Sequence, residues 1–243
     1  MADILLTSMD VSNGHLNSSP QEGMSGVERG ALQTWLQKTY ILQRRDLNCD
    51  PPHSISKLKE DWPYLFSLHG LFQHFTELTG VPIREKMAAA INDKQHKMLE
   101  YFAQQKTPSV EKAVQKYRSG NQSICLVMCL LAHFKEQDDG IFLIVDPSAT
   151  TADIHTSSIA SCTPQLIVPG ELLHADTWYM SIEGVCVMGP HSSLLHGLIA
   201  MFAAYYVFNL QYPAEAAATL EFIQRAFCGI NTQTGSKTGQ RRG

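Results

Sequence analysis

The chain has 243 residues, 44% of them hydrophobic and 17% charged, with 16 Gly and 11 Pro. That composition excludes collagen-like, low-complexity and wholly disordered classes, and it leaves enough apolar material for a core that needs no disulfide staples. The net charge of −4 hides an asymmetry. Between Arg84 and Arg118 eight basic residues stand against four acidic ones, whereas from Glu136 to Gln224 ten acidic residues occur without a single Lys or Arg. A long cation-free half cannot follow a phosphate backbone, so nucleic acid is not the expected partner.

The first 25 residues, with SNGHLNSSPQEGMSG, read as a disordered leader. The start MADILLTSMD carries Asp3 and Asp10 and no basic segment, so a secretory signal is not expected. From Val27, Leu32, Trp35, Leu36, Thr39 and Leu42 recur at helical spacing, and Asn48 to Pro52 break the run. Ile55 to Leu78 carry a second apolar stripe through Leu58, Trp62, Leu65, Leu68, Phe72, Phe75 and Leu78, interrupted at Pro63 and ended by Gly80 and Pro82. A helix from Arg84 to Gln104 is predicted to bury Met87, Ile91, Met98 and Phe102. A shorter one from Ser109 to Arg118 takes Ser109 as its N-cap.

The run ICLVMCLLAHF from Ile124 is read as a buried helix, although periodicity alone does not separate it from a buried strand. GIFLIVD (140–146) and PQLIVPG (164–170) are β-branched runs bounded by turn residues, and each is a predicted strand. WYMSIEGVCVM (178–188) fits a hairpin turning at Glu183-Gly184. Leu194 to Leu210 has no charged residue but contains His196 and falls short of the roughly 20 residues of a membrane span, so it is a predicted core helix. The last helix, 213–227, is assigned Pro213 as its first residue, Glu215 in its first turn, and a buried stripe of Ala216, Leu220, Ile223 and Phe227. Residues 231–243 read as a flexible tail. The fold class is therefore α+β: a helix-rich N-terminal half and a small mixed sheet packed by the C-terminal helices, forming one domain over 26–230 with a sub-boundary near residue 120 left open.

Few motifs carry chemistry. The tail string GINTQTGSKT misses a phosphate loop by one residue in the glycine spacing, and Ser236 stands before Lys237. His69 with His74, and His191 with His196, are five apart, about 140° around a helix, which does not bring two imidazoles to one face. These histidines are read as core or interfacial. Six cysteines lie at 49, 125, 129, 162, 186 and 228 without a C-x-x-C pair, which fits reduced thiols in an intracellular protein of cytoplasm or nucleus. Cys125 and Cys129 have apolar neighbours and read as inert, while Cys162 sits in a polar loop.

The candidate catalytic or metal residues are Asp146, Asp153, His155, His174 and Asp176. Asp146 ends a predicted strand, and the couples Asp153/His155 and His174/Asp176 have the i, i+2 spacing that puts both side chains on one face of an extended segment. Brought together, the five could hold a divalent cation and activate a water. No cofactor is otherwise indicated.

The strings DWPYLF, LFQHFTELTG and AAYYVFNLQYPAEAAATLEFIQRAFCGIN with its trailing GSK resemble the C-terminal region of fish and invertebrate sterile alpha motif domain-containing protein 3-like proteins, over about Trp62 to Lys237. The sterile alpha motif itself has no room here, because the chain before Trp62 offers one strong helix and not a five-helix bundle. The resemblance implies an intracellular module that sits beside interaction domains. The reading of function is a non-enzymatic protein-interaction or scaffold module with a protein partner, its acidic half offered to a basic partner and its site marked by exposed apolar surface. The rival is a divalent-metal-dependent hydrolase or nuclease-like enzyme of mobile-element origin.

Overall fold

The computed structural model describes residues 26–150 and 162–231. The chain divides into two compact units, Met1–Thr39 and Tyr40–Gly243. In the first, the described residues 26–39 belong to helix α1 (Gly26–Leu47). The second unit holds the rest: α2 (Ile55–Asp61), a 3-10 turn (Pro63–Phe66), α3 (Leu68–Thr79), α4 (Ile83–Gln104), α5 (Pro108–Tyr117), α6 (Gln122–Phe134), β1 (Phe142–Val145), β2 (Gln165–Pro169), β3 (Trp178–Ile182), β4 (Val185–His191), α7 (Leu194–Val207) and α8 (Ala217–Ala226). The fold is α+β as expected.

The sheet has the order β1-β2-β3-β4. β1 lies parallel to β2, and the other two pairs are antiparallel, so the sheet is mixed. The β3–β4 hairpin pairs Ile182 with Val185 across a two-residue loop. Glu183 and Gly184 have φ of 52° and 71°, the double positive φ that a type I′ turn requires and that matches the right-handed twist of the strands. Glu183 is an unusual residue to hold there. Its carboxylate explains the choice, because Oε2 accepts a hydrogen bond from the Ile55 amide at 2.9 Å, satisfying an N–H at the start of α2 that has no partner inside the helix.

Helix α7 is apolar around its whole circumference, and the packing shows why. It lies against β2, β3 and β4 on one side and against α3, α4 and α6 on others, so only Leu195, His196 and Tyr206 escape full burial among its 14 residues. A helix with no polar face belongs in the centre of a domain. Among the described residues, no helix is long and apolar enough to cross a membrane.

Three local expectations change. The stripe from Ile55 to Leu78 is rephased by the 3-10 turn, leaving Leu68 39% exposed while Leu71, His74 and Phe75 take the core positions. Ser109 is not the cap of α5. The helix starts at Pro108 with Thr107 as N-cap, and the Ser109 hydroxyl donates instead to the Ala132 carbonyl at 3.1 Å. Pro213 does not open the last helix, which begins at Ala217 with Ala216 in the cap position and no side-chain cap of its own.

The missing cap of α8 arrives from a distant segment. After α6, Lys135 takes a left-handed conformation (φ 61°) and the Glu136 amide bonds back to the Leu131 carbonyl at 2.9 Å. That closure aims the Glu136 carboxylate at α8, where its two oxygens accept from the amides of Ala218 at 2.6 Å and Thr219 at 2.9 Å. At the other end of α8 the Lys94 ammonium donates to the Ala226 carbonyl at 2.6 Å. Each charge has the sign that the helix dipole favours. Glu136→Ala should cost about 2 kcal/mol, because two charge-assisted bonds to half-buried amides are lost together. Urea unfolding of the full chain reads it, and a midpoint equal to the parent's would show that water replaces the carboxylate without loss.

Candidate interaction surface

Helix α6 packs against both α4 and α8, and residues of those two helices line a gap at the surface. The gap is an open groove of about 270 Å³ lined by Asp93, Lys94, Lys97, Met98, Tyr101, Phe222 and Ala226. The α4 residues fall at alternating steps of one and three, which keeps them on one face over about two turns. Phe222 and Ala226 are likewise one turn apart on α8. The floor is apolar and the rim is charged.

A ladder of rings supports this floor. Tyr101 meets Phe102 edge-on at 5.5 Å between centroids, Phe102 tilts on His133 at 5.8 Å, His133 meets Phe134 at 5.1 Å, and Phe134 meets Phe222 at 6.0 Å. Phe222 in turn stands edge-on to buried Phe227 at 5.8 Å. Tilted and edge-on contacts of this kind are the favourable aromatic geometries. Phe102 is buried while Tyr101, its neighbour, is 52% exposed, so the ladder holds a large aromatic side chain at the surface beside a fixed floor.

The sequence-derived chemical residues have other surroundings. Asp146 follows β1 and is exposed; one carboxylate oxygen accepts from the Ser148 amide at 2.8 Å and from its hydroxyl, and these bonds hold its carboxyl below the usual range. That is the arrangement of an Asx-type turn. His174 closes a 3-10 turn (Leu172–His174) and its Nδ1 lies 3.3 Å from Glu171 Oε2, both side chains exposed. Asp176 accepts from the Thr177 hydroxyl at 3.0 Å. Asp153 and His155 lie outside the described residues. Among the described residues, no group of three or more His, Cys, Asp and Glu side chains is placed to hold a metal ion, so Asp146, His174 and Asp176 do not form a ligand set by themselves.

The two histidine pairs separate in the fold. His74 is buried on α3 and His69 lies half-buried on the same helix. His191 ends β4 while His196 belongs to the first turn of α7, so the helical spacing argument does not apply to that pair. The imidazoles of His74 and His191 are both pushed down to about 4, chiefly by burial, with Arg44 adding to the effect at His74 and His196 at His191. Gln43 Oε1 sits 2.8 Å from His74 Nδ1, which places the His74 proton on Nδ1. Of the cysteines, Cys125, Cys129 and Cys228 are buried and Cys162 is exposed. Burial pushes the Cys228 thiol up to about 12, which makes it a poor nucleophile at neutral pH.

Sequence reasoning found α4 and α8 but not the groove between them. Tyr101 carried a signal, a large aromatic off the predicted buried positions Met87, Ile91, Met98 and Phe102. The other wall of the groove lies about 120 residues further along the chain, out of reach of any local pattern.

A family model described as the helical domain of sterile alpha motif domain-containing protein 3 matches residues 29–67. The match covers most of α1, all of α2 and the 3-10 turn. It supports the resemblance to those proteins, and it meets the strings quoted above at Asp61–Phe66, the remaining ones lying beyond it. No curated protein and no solved structure matches the chain.

Proposed function

We propose that this chain is a non-enzymatic protein-interaction module that receives a partner segment in the groove between α4 and α8. The observation that carries this reading is the groove itself, an apolar floor opening to solvent beside the exposed Tyr101 ring. Exposed apolar surface with a polar rim is the ordinary signature of a docking site. At about 270 Å³ the groove is smaller than most cavities that enclose a cofactor or drug-sized ligand, and it suits one or two anchoring side chains of a peptide better. The similarity of residues 29–67 to the helical domain of sterile alpha motif domain-containing protein 3 supports the same class of function.

Panning a random peptide library on the full chain tests this reading. Enriched peptides should bind the parent and lose at least about tenfold affinity on Tyr101→Ser, a change at a half-exposed position that should lower the circular dichroism melt by only a few degrees. Absence of enrichment, or peptides indifferent to Tyr101→Ser, would remove the groove from consideration.

A further inference from the structure

We infer that the segment received by the groove is acidic and amphipathic, a short helix whose large apolar side chains enter between Met98, Tyr101 and Phe222 and whose carboxylates face Lys94 and Lys97. This inference rests on the docking reading above and adds the chemistry of the partner. The sign of the rim decides it. Two lysines and one aspartate line the groove, so its charged lining is net positive. The expected basic partner of the acidic half is therefore not the one this surface attracts.

The two lysines are not equivalent. Lys94 is held by the Ala226 carbonyl at 2.6 Å, so its charge is fixed at the C-terminal end of α8, with the ammonium on the groove rim. Lys97, one turn along α4, is exposed and makes no ion pair among the described residues. An exposed, unpaired ammonium beside an apolar floor is placed to meet a partner's carboxylate, and electrostatic complementarity of this kind sets specificity and association rate more than total affinity. An incoming helix fits this length: the lining residues on α4 span about two turns, roughly 12 Å, and anchors at i and i+4 of a helix, about 6 Å apart along its axis, seat within it. A nucleic acid would need a longer cationic track, and residues 136–224 contain no Lys or Arg to extend it.

The test uses the full chain and two fluorescent 15-residue helical peptides with Leu and Phe anchors one turn apart, one flanked by Glu and the other by Lys at the same positions. Anisotropy titrations at low and physiological salt compare them, with a 20-nucleotide single-stranded DNA as a third probe. The acidic peptide should bind at least about tenfold tighter than the basic one. The Lys97→Glu variant should weaken the acidic peptide at least tenfold and narrow or reverse the preference. Equal or tighter binding of the basic peptide overturns the inference, as does binding of neither peptide, or tighter binding of the DNA with loss on Lys97→Glu. If library panning then yields neutral or basic peptides that are lost on Tyr101→Ser, the docking reading stands and only the acidic partner falls. If panning yields nothing, both fall.

Discussion

Gly70→Ala should be among the most damaging single substitutions in this chain, lowering stability by about 3 kcal/mol or more, although alanine is the better helix former by about 1 kcal/mol. Gly70 lies in the first turn of α3, directly over the 3-10 turn. A Cβ built there collides with the Tyr64 carbonyl oxygen and comes within 2.8 Å of its carbon and 2.9 Å of its ring. Backbone cannot swing aside as a side-chain tip can. Relief requires α3 to lift off the turn, which unseats Leu65 and Phe66 on one side and Leu71 and Phe75 on the other, all buried. Gly120→Ala is the matched control. There the crowding atom is a terminal methyl carbon of Leu173, at 2.5 Å, and rotation of that side chain relieves it. Urea midpoints should fall far more for Gly70→Ala than for Gly120→Ala, and equal midpoints would mean that α3 and the turn separate without loss.

Acid should destabilise the protein before its carboxylates titrate. His74 and His191 ordinarily take up a proton near 6.5, but in the fold both stay neutral until about 4. The folded state therefore binds fewer protons than the unfolded state between those values. Stability is fully present above pH 6.5 and is lost as the pH falls toward 4, by about 3 kcal/mol for each histidine. Against the 5–15 kcal/mol typical of a domain, two such losses are large. The physical cause differs in detail. Among the described residues, His74 keeps one bond, to Gln43, and its Nε2 has no partner, while neither ring nitrogen of His191 has one. Protonation would add a second buried donor to His74 beside the half-buried Arg44, and a charge to His191 with nothing to accept from it. Urea unfolding at pH 7.5 and 4.5 measures the effect, and His191→Leu should recover about half of the difference. A parent protein equally stable at both values would contradict it.

The elements themselves were largely legible because each is set by spacing within a few residues. Leu166, Ile167 and Val168 between Gln165 and Pro169 could only be a buried strand. Glu183-Gly184 between two apolar runs could hardly be other than a hairpin turn. The uncharged run from Leu194 predicts a core helix, and α7 packs on both the sheet and three helices of the second unit. The apolar stripe of the last helix, Ala216, Leu220, Ile223 and Phe227, is legible in its spacing and all four are buried, whereas the helix starts at Ala217 and not at Pro213. The candidate chemistry was far less legible. Asp146 before Pro147 and the His174/Asp176 couple have spacings that serve a turn as well as a ligand set, and residue spacing carries no information on whether separate loops converge.

What the sequence determined by itself, then, is the order and type of the elements and the apolar face of each, since hydrophobic burial acts through the period of 2 or 3.6 that the residues already display. Tertiary structure decided where the charges go. Glu183 serves the start of α2, Glu136 the start of α8, Lys94 the end of α8, and Arg44 the end of α7 through the Val207 carbonyl at 2.8 Å. Each reaches a helix far away in the chain, and none is implied by its neighbours. The groove has the same origin. Its walls come from α4 and α8, and a gap between helices is a property of their packing, which local periodicity does not encode.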